Sequence, residues 1–125
     1  MKGYTSLSQS KKLAKFLSIE SADMYYSKHD TIHANTLYGS CDIQYFNIHE
    51  YIPCWSLATL LDIIPYAIRK SDNEFYRLGI DKGYNDYAIW YSNNGLTINN
   101  LDVTSGNFVD ACVEMIIMLH EQNLL

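Results

Sequence analysis

Polar and apolar positions alternate in several distinct rhythms along this chain. Ser6 followed by Gln9 has the spacing of a helix N-terminal capping box, and Leu13, Phe16 and Leu17 form one apolar stripe behind it. This predicts a first helix over 7–17. A second helical rhythm follows Ser56, with Leu57, Leu60, Leu61 and Ile64 at i, i+3, i+4 and i+7 before Pro65 stops it. Pro53 and Trp55 sit just ahead of that cap, where Trp55 reads as a packing residue. A third helix begins near Asn107. Its Phe108, Val109, Cys112, Val113, Met115, Ile116, Ile117 and Leu119 make it apolar nearly all round, which predicts a buried central helix. Asn123 suits the left-handed position after its end.

Between the second and third helices the period changes to two. Residues 74–80, 86–92 and 96–101 predict three strands, the last two joined by Asn94-Gly95 in a two-residue turn. That turn pairs Asn93 with Leu96, Tyr91 with Ile98 and Trp90 with Asn99. A four-residue loop at 82–85 pairs Asp81 with Asp86, Leu78 with Ile89 and Arg77 with Trp90. One sheet face then collects Tyr76, Leu78, Ile80, Tyr87, Ile89, Tyr91, Leu96 and Ile98. The other collects Phe75, Arg77, Ala88, Trp90, Thr97 and Asn99. Residues 20–52 show no sustained period. We expect an extended segment there, with a short strand over 42–48. The fold expected is a single α+β domain over 1–125: a three- or four-stranded antiparallel meander with helices on one face.

The boxes IPCWSLATLLDIIP (52–65), SQSKKLAKFL…ESADMYY (8–26) and NFVDACVEMIIMLHEQNLL (107–125) resemble short uncharacterised proteins of gut-anaerobe phages and mobile elements that share a P-x-W-S-L-x-x-L-L motif. The resemblance implies a small accessory protein in a mobile-element context, and no activity, cofactor or site residue.

Composition narrows the function classes. The 125 residues carry a net charge of −5, with 48% hydrophobic and 14% aromatic residues. Four lysines and no acid lie within residues 1–15, whereas five acids and no lysine or arginine lie within 83–125. An acidic chain is a poor ligand for duplex nucleic acid, which demands clustered Lys and Arg. No apolar run is long enough to span a bilayer, and residues 1–10 carry no apolar leader core, so we expect a cytoplasmic protein without membrane contact. The three cysteines, Cys41, Cys54 and Cys112, lack paired spacing and are expected as reduced thiols.

Candidate chemistry is sparse. His29 and His33, with Asp30, Cys41, Asp42, His49, Glu50 and Cys54 nearby in sequence, outline a metal site without HExxH or paired-Cys spacing, and no metal or cofactor is expected. Neither a nucleophile elbow nor a Gly-rich phosphate loop occurs. The reading therefore favours a non-catalytic interaction protein, binding an unknown protein partner or itself, over an enzyme such as a metal-dependent hydrolase. The alternative is a single-strand nucleic-acid binder using sheet aromatics. Phe75, Arg77 and Trp90 are the candidate partner-binding residues, because aromatic and Arg side chains anchor interfaces. Their face is free, covered by segment 20–52, or occupied by a partner.

Overall fold

A computed structural model describes residues 2–27, 32–34 and 51–125. The expected strand at 42–48, and His29, Asp30, Cys41, Asp42, His49 and Glu50, lie outside the described residues; of His33 only the backbone is described. The fold is α+β, with two antiparallel sheets. The chain groups into two compact units, residues 2–60 and 61–125.

In the first unit, helix α1 (Leu7–Leu13) starts at the capping box read from the sequence. The Gln9 amide donates to Ser6 Oγ at 3.2 Å, and the Ser6 amide donates back to Gln9 Oε1 at 2.9 Å. The helix ends four residues earlier than its apolar stripe suggests. Lys15 and Phe16 bond three residues back, to Lys12 and Leu13, so the last turn tightens and regular helix stops. Strands β1 (Met24–Tyr26), β2 (Ile32–Ala34) and β3 (Ile52–Cys54) then form a three-stranded sheet with β1 in the centre. This sheet is the order concealed in the aperiodic region.

A buried polar cluster ties the amino-terminal segment to β3. Thr5 and Ser10 are both fully buried. The Thr5 hydroxyl accepts the Trp55 amide at 3.1 Å, lies 2.7 Å from Ser10 Oγ and reaches Cys54 Sγ at 3.4 Å. The Thr5 carbonyl accepts the Tyr26 hydroxyl at 2.7 Å, and the Thr5 amide donates to the Trp55 carbonyl at 3.0 Å. Trp55 is fully buried, as its packing role predicts, and its Nε1 donates to Ser21 Oγ at 2.9 Å. Helix α2 (Leu57–Ile63) follows, capped by Ser56, which accepts the Thr59 amide and is itself held by the Asp23 carboxylate.

The second unit is the meander. Strands β4 (Ala67–Ser71), β5 (Glu74–Lys82), β6 (Tyr87–Asn93) and β7 (Leu96–Ser105) lie in that order, and α3 (Phe108–Glu121) packs across β6 and β7. Asn107 caps α3 by accepting the Asp110 amide at 3.2 Å. At the other end Asn123 takes φ 58°, and the bonds Leu124 N to Leu119 O and Asn123 N to His120 O close a Schellman motif. Ile116 and Leu119 are fully buried, together with Ile89, Tyr91 and Leu101 of the inner sheet face. The Tyr91 hydroxyl donates to the Pro65 carbonyl, and burial raises its pKa far above the ordinary phenol value.

Pairing differs from the sequence expectation at two places. Asn94 and Gly95 take φ 51° and 82°, and Asn93 pairs with Leu96 as expected. Beyond Ser92–Thr97, however, the next pair is Trp90–Asp102, so four residues of β7, 98–101, stand against Tyr91 alone. Tyr91–Ile98 and Trp90–Asn99 do not form. This bulge reverses the side-chain parity of the rest of β7, which puts Leu101 and Val103 inward; Leu96, ahead of it beside the hairpin turn, is 75% exposed. Gln122 at the α3 C-cap holds the bulge from outside: its amide donates to the Asn100 carbonyl, and Asn100 Nδ2 donates to Gln122 Oε1. The second difference is the β5–β6 register, described below.

Three stability outcomes follow from these contacts. Thr5→Val strips the hydroxyl from a fully buried amide and should lower unfolding free energy by about 1–3 kcal/mol, read as a lower urea midpoint at unchanged slope; Thr5→Ser should cost less. Ile116→Ala should cost about 2–5 kcal/mol. Because the folded Tyr91 pKa is raised, its contribution is complete below the unfolded value of about 10 and is lost above it. The thermal midpoint of the wild type should therefore fall between pH 9 and 11 more steeply than that of Tyr91→Phe.

Candidate functional site

The outward face of the meander brings the sequence candidates together. Pairing fixes its rows across the strands. Arg69 stands beside Phe75, Arg77 lies between Ala67 and Ser92, Gly79 faces Trp90 with Asp102 beyond, and Asp81 faces Ala88 with Thr104 beyond. Phe75 is 51% exposed, and the Arg69 guanidinium carbon lies 4.7 Å from its ring centroid, in cation–π contact. Arg77 is exposed and Trp90 half-buried.

Arg77 does not stand across from Trp90, as the loop at 82–85 predicted. The four-residue loop is 83–86, closed by the Gly83 amide donating to the Asp86 carbonyl at 2.8 Å, so Lys82 pairs with Tyr87 and every β5–β6 pair moves by two residues. A shift of two keeps each residue on its predicted face while changing its neighbours. The physical reason lies at Gly79. A Cβ there would come within 2.4 Å of the Trp90 ring, so the indole rests on bare backbone that only glycine provides. In the predicted register that backbone would face Ala88, and the indole would have no such bed.

Phe75, Arg77, Ser92, Asn93 and Asn94 line an open cavity of about 380 Å³ at the hairpin end. Neither a cysteine nor a histidine belongs to these rows, which carry instead the hydroxyls of Ser92, Thr97 and Thr104 and the carboxylates of Asp81 and Asp102. The described cysteines, Cys54 and Cys112, are buried free thiols, and burial pushes Cys112 up to about 12, so it stays protonated at neutral pH. Among the described residues no group of three or more metal-ligating side chains converges, and no helix is long and apolar enough to cross a membrane.

Four residues of this face escaped the sequence reading: Arg69, Gly79, Asp81 and Asp102. Strand β4, which supplies Arg69, has one buried position, Ile68, and so no visible alternation. Gly79 did carry a signal, since a glycine inside a strand pattern marks a close approach.

Gly79→Ala should drive the indole off the sheet. We expect loss of about 1–3 kcal/mol and red-shifted Trp90 emission; a variant as stable as wild type with unchanged emission would show that the contact is dispensable. Comparison of the chain with protein-family models, with curated protein sequences and with solved structures returned no match.

Proposed function

We propose that this is a non-catalytic interaction protein whose outward meander face binds another protein. The observation that carries the reading is the half-exposed Phe75, held under Arg69 and set beside exposed Arg77 and half-buried Trp90. A large aromatic presented to water beside arginine is the composition of an interface anchor. The resemblance of segments 8–26, 52–65 and 107–125 to small phage and mobile-element proteins supports a role as an accessory factor. Strand binding by the sheet aromatics is the weaker reading, because Arg69 and Arg77 are offset on the same face by Asp81 and Asp102.

A photo-crosslinking residue in place of Phe75, with one at the fully exposed turn residue Tyr84 as control, tests this in cells expressing the full chain. The expected result is a discrete protein adduct from position 75, absent from position 84 and lost when Arg77→Asp is added. Adducts to nucleic acid, or none above the control, would overturn it.

A further inference from the structure

The charges on the outward face are segregated along the strands, and this identifies an occupant. On outward positions Arg69 and Arg77 occupy the first two rows, and Asp102 and Asp81 the last two. The side chains of Arg77, Asp81 and Asp102 make no hydrogen bond or ion pair among the described residues. Glu74 and Lys82 have the opposite parity on β5, and Glu74 accepts from the Tyr76 hydroxyl. Asp72 lies in the β4–β5 turn, beyond the rows.

A face that is positive at one end and negative at the other is complementary to itself when turned over. We propose, resting on the interaction reading above, that its partner is a second copy of this chain, packed face to face about a two-fold axis. The axis runs across the strands between the second and third rows. That operation lays the first row on the fourth and the second on the third. Asp81 of the second copy then falls between Arg69 and Arg77, over Phe75. Arg77 falls on the row where the Trp90 indole covers Gly79, so it meets a flat aromatic face on which a guanidinium stacks. Being isologous, the arrangement repeats each contact twice.

The size of the face sets the strength. Four strands about 4.8 Å apart and four rows about 6.8 Å apart bound the face at roughly 400 Å² per copy, and β4 fills only the first two rows, so it lies below the ~800 Å² per partner of a standard stable interface. The dimer is therefore weak, formed at high protein concentration, and weakened by salt because attraction between solvent-exposed charges contributes to it.

Sedimentation equilibrium of the purified full chain, at low and high salt, tests it with two charge-altered variants. R69D/R77D makes the outward rows acidic, and D81K makes them mostly basic. The sites are exposed, and circular dichroism and urea midpoints check that both variants remain folded. We expect reversible dimerisation of the wild type with a blue shift of Trp90 emission as concentration rises. Each variant alone should dimerise at least about tenfold more weakly, and an equimolar mixture of the two should restore a heterodimer to near wild-type affinity. A wild type monomeric throughout, or variants that dimerise like it, would overturn the proposal. So would a mixture of the variants that fails to associate. Those results leave the interaction reading standing if the position 75 crosslinker still joins the chain to a different protein. A crosslinker that captures nothing sinks both.

Discussion

The contact between the Trp90 indole and the bare backbone of Gly79 governs the arrangement of the second unit. Antiparallel pairing of β5 and β6 is compatible with more than one register of the same parity, since Leu78, Ile80, Ile89 and Tyr91 face inward in each. Hydrophobic burial alone does not choose among them. The indole chooses, because its large ring needs a position across the ladder where no Cβ intrudes. Once Gly79 is opposite Trp90, Lys82 must meet Tyr87, the loop must close at Gly83 and Asp86, and Arg77 must lie beside Ser92. The neighbours of every outward charge descend from that one steric fit.

The first unit is organised by a different kind of force. Its anchor is a threonine whose hydroxyl, amide and carbonyl all find partners in the buried interior, among them Trp55, Ser10 and Tyr26. Polar groups in such surroundings are costly when unmatched, and here the matching fixes which segment lies against β3. Apolar packing is tolerant of small slips, whereas a set of hydrogen bonds from one residue is not. That explains how a region with weak hydrophobic periodicity holds a defined arrangement: Tyr25 stacks on Tyr51 at 4.9 Å, and the Asp23 carboxylate holds Ser56 at the start of α2.

Local signals were legible in the residues. The Ser6–Gln9 box, the Asn94-Gly95 turn, the Asn107 cap and the burial of Ile116 and Leu119 each depend on a few neighbours in sequence, and each stands where the pattern put it. The α+β class follows from the change of hydrophobic period between segments, and the grouping of Phe75, Arg77 and Trp90 on one face withstands the register shift because it depends on parity alone. Features set by distant partners were not legible. Strand β4 has one buried residue, Ile68, and its edge place follows from pairing with β5. The continuation of β7 through Asp102–Ser105 alternates correctly, but the bulge at 98–101 interrupts the count that would connect it to the hairpin. Asp81 and Asp102 gain meaning only when the rows are known.

That bulge has a bearing on how the chain tolerates change in length. Three surplus residues between Thr97 and Asp102 reverse which side of the sheet the rest of β7 presents, and Leu101 and Val103 are inward only because the surplus is odd. Loss or gain of a single codon within 98–101 would turn these two core residues out to water and send Asp102 and Thr104 toward α3. Loss or gain of two codons would preserve the pattern. A segment that looks like a permissive polar loop, Ile98-Asn99-Asn100, is thus a reading frame in miniature, with a period of two.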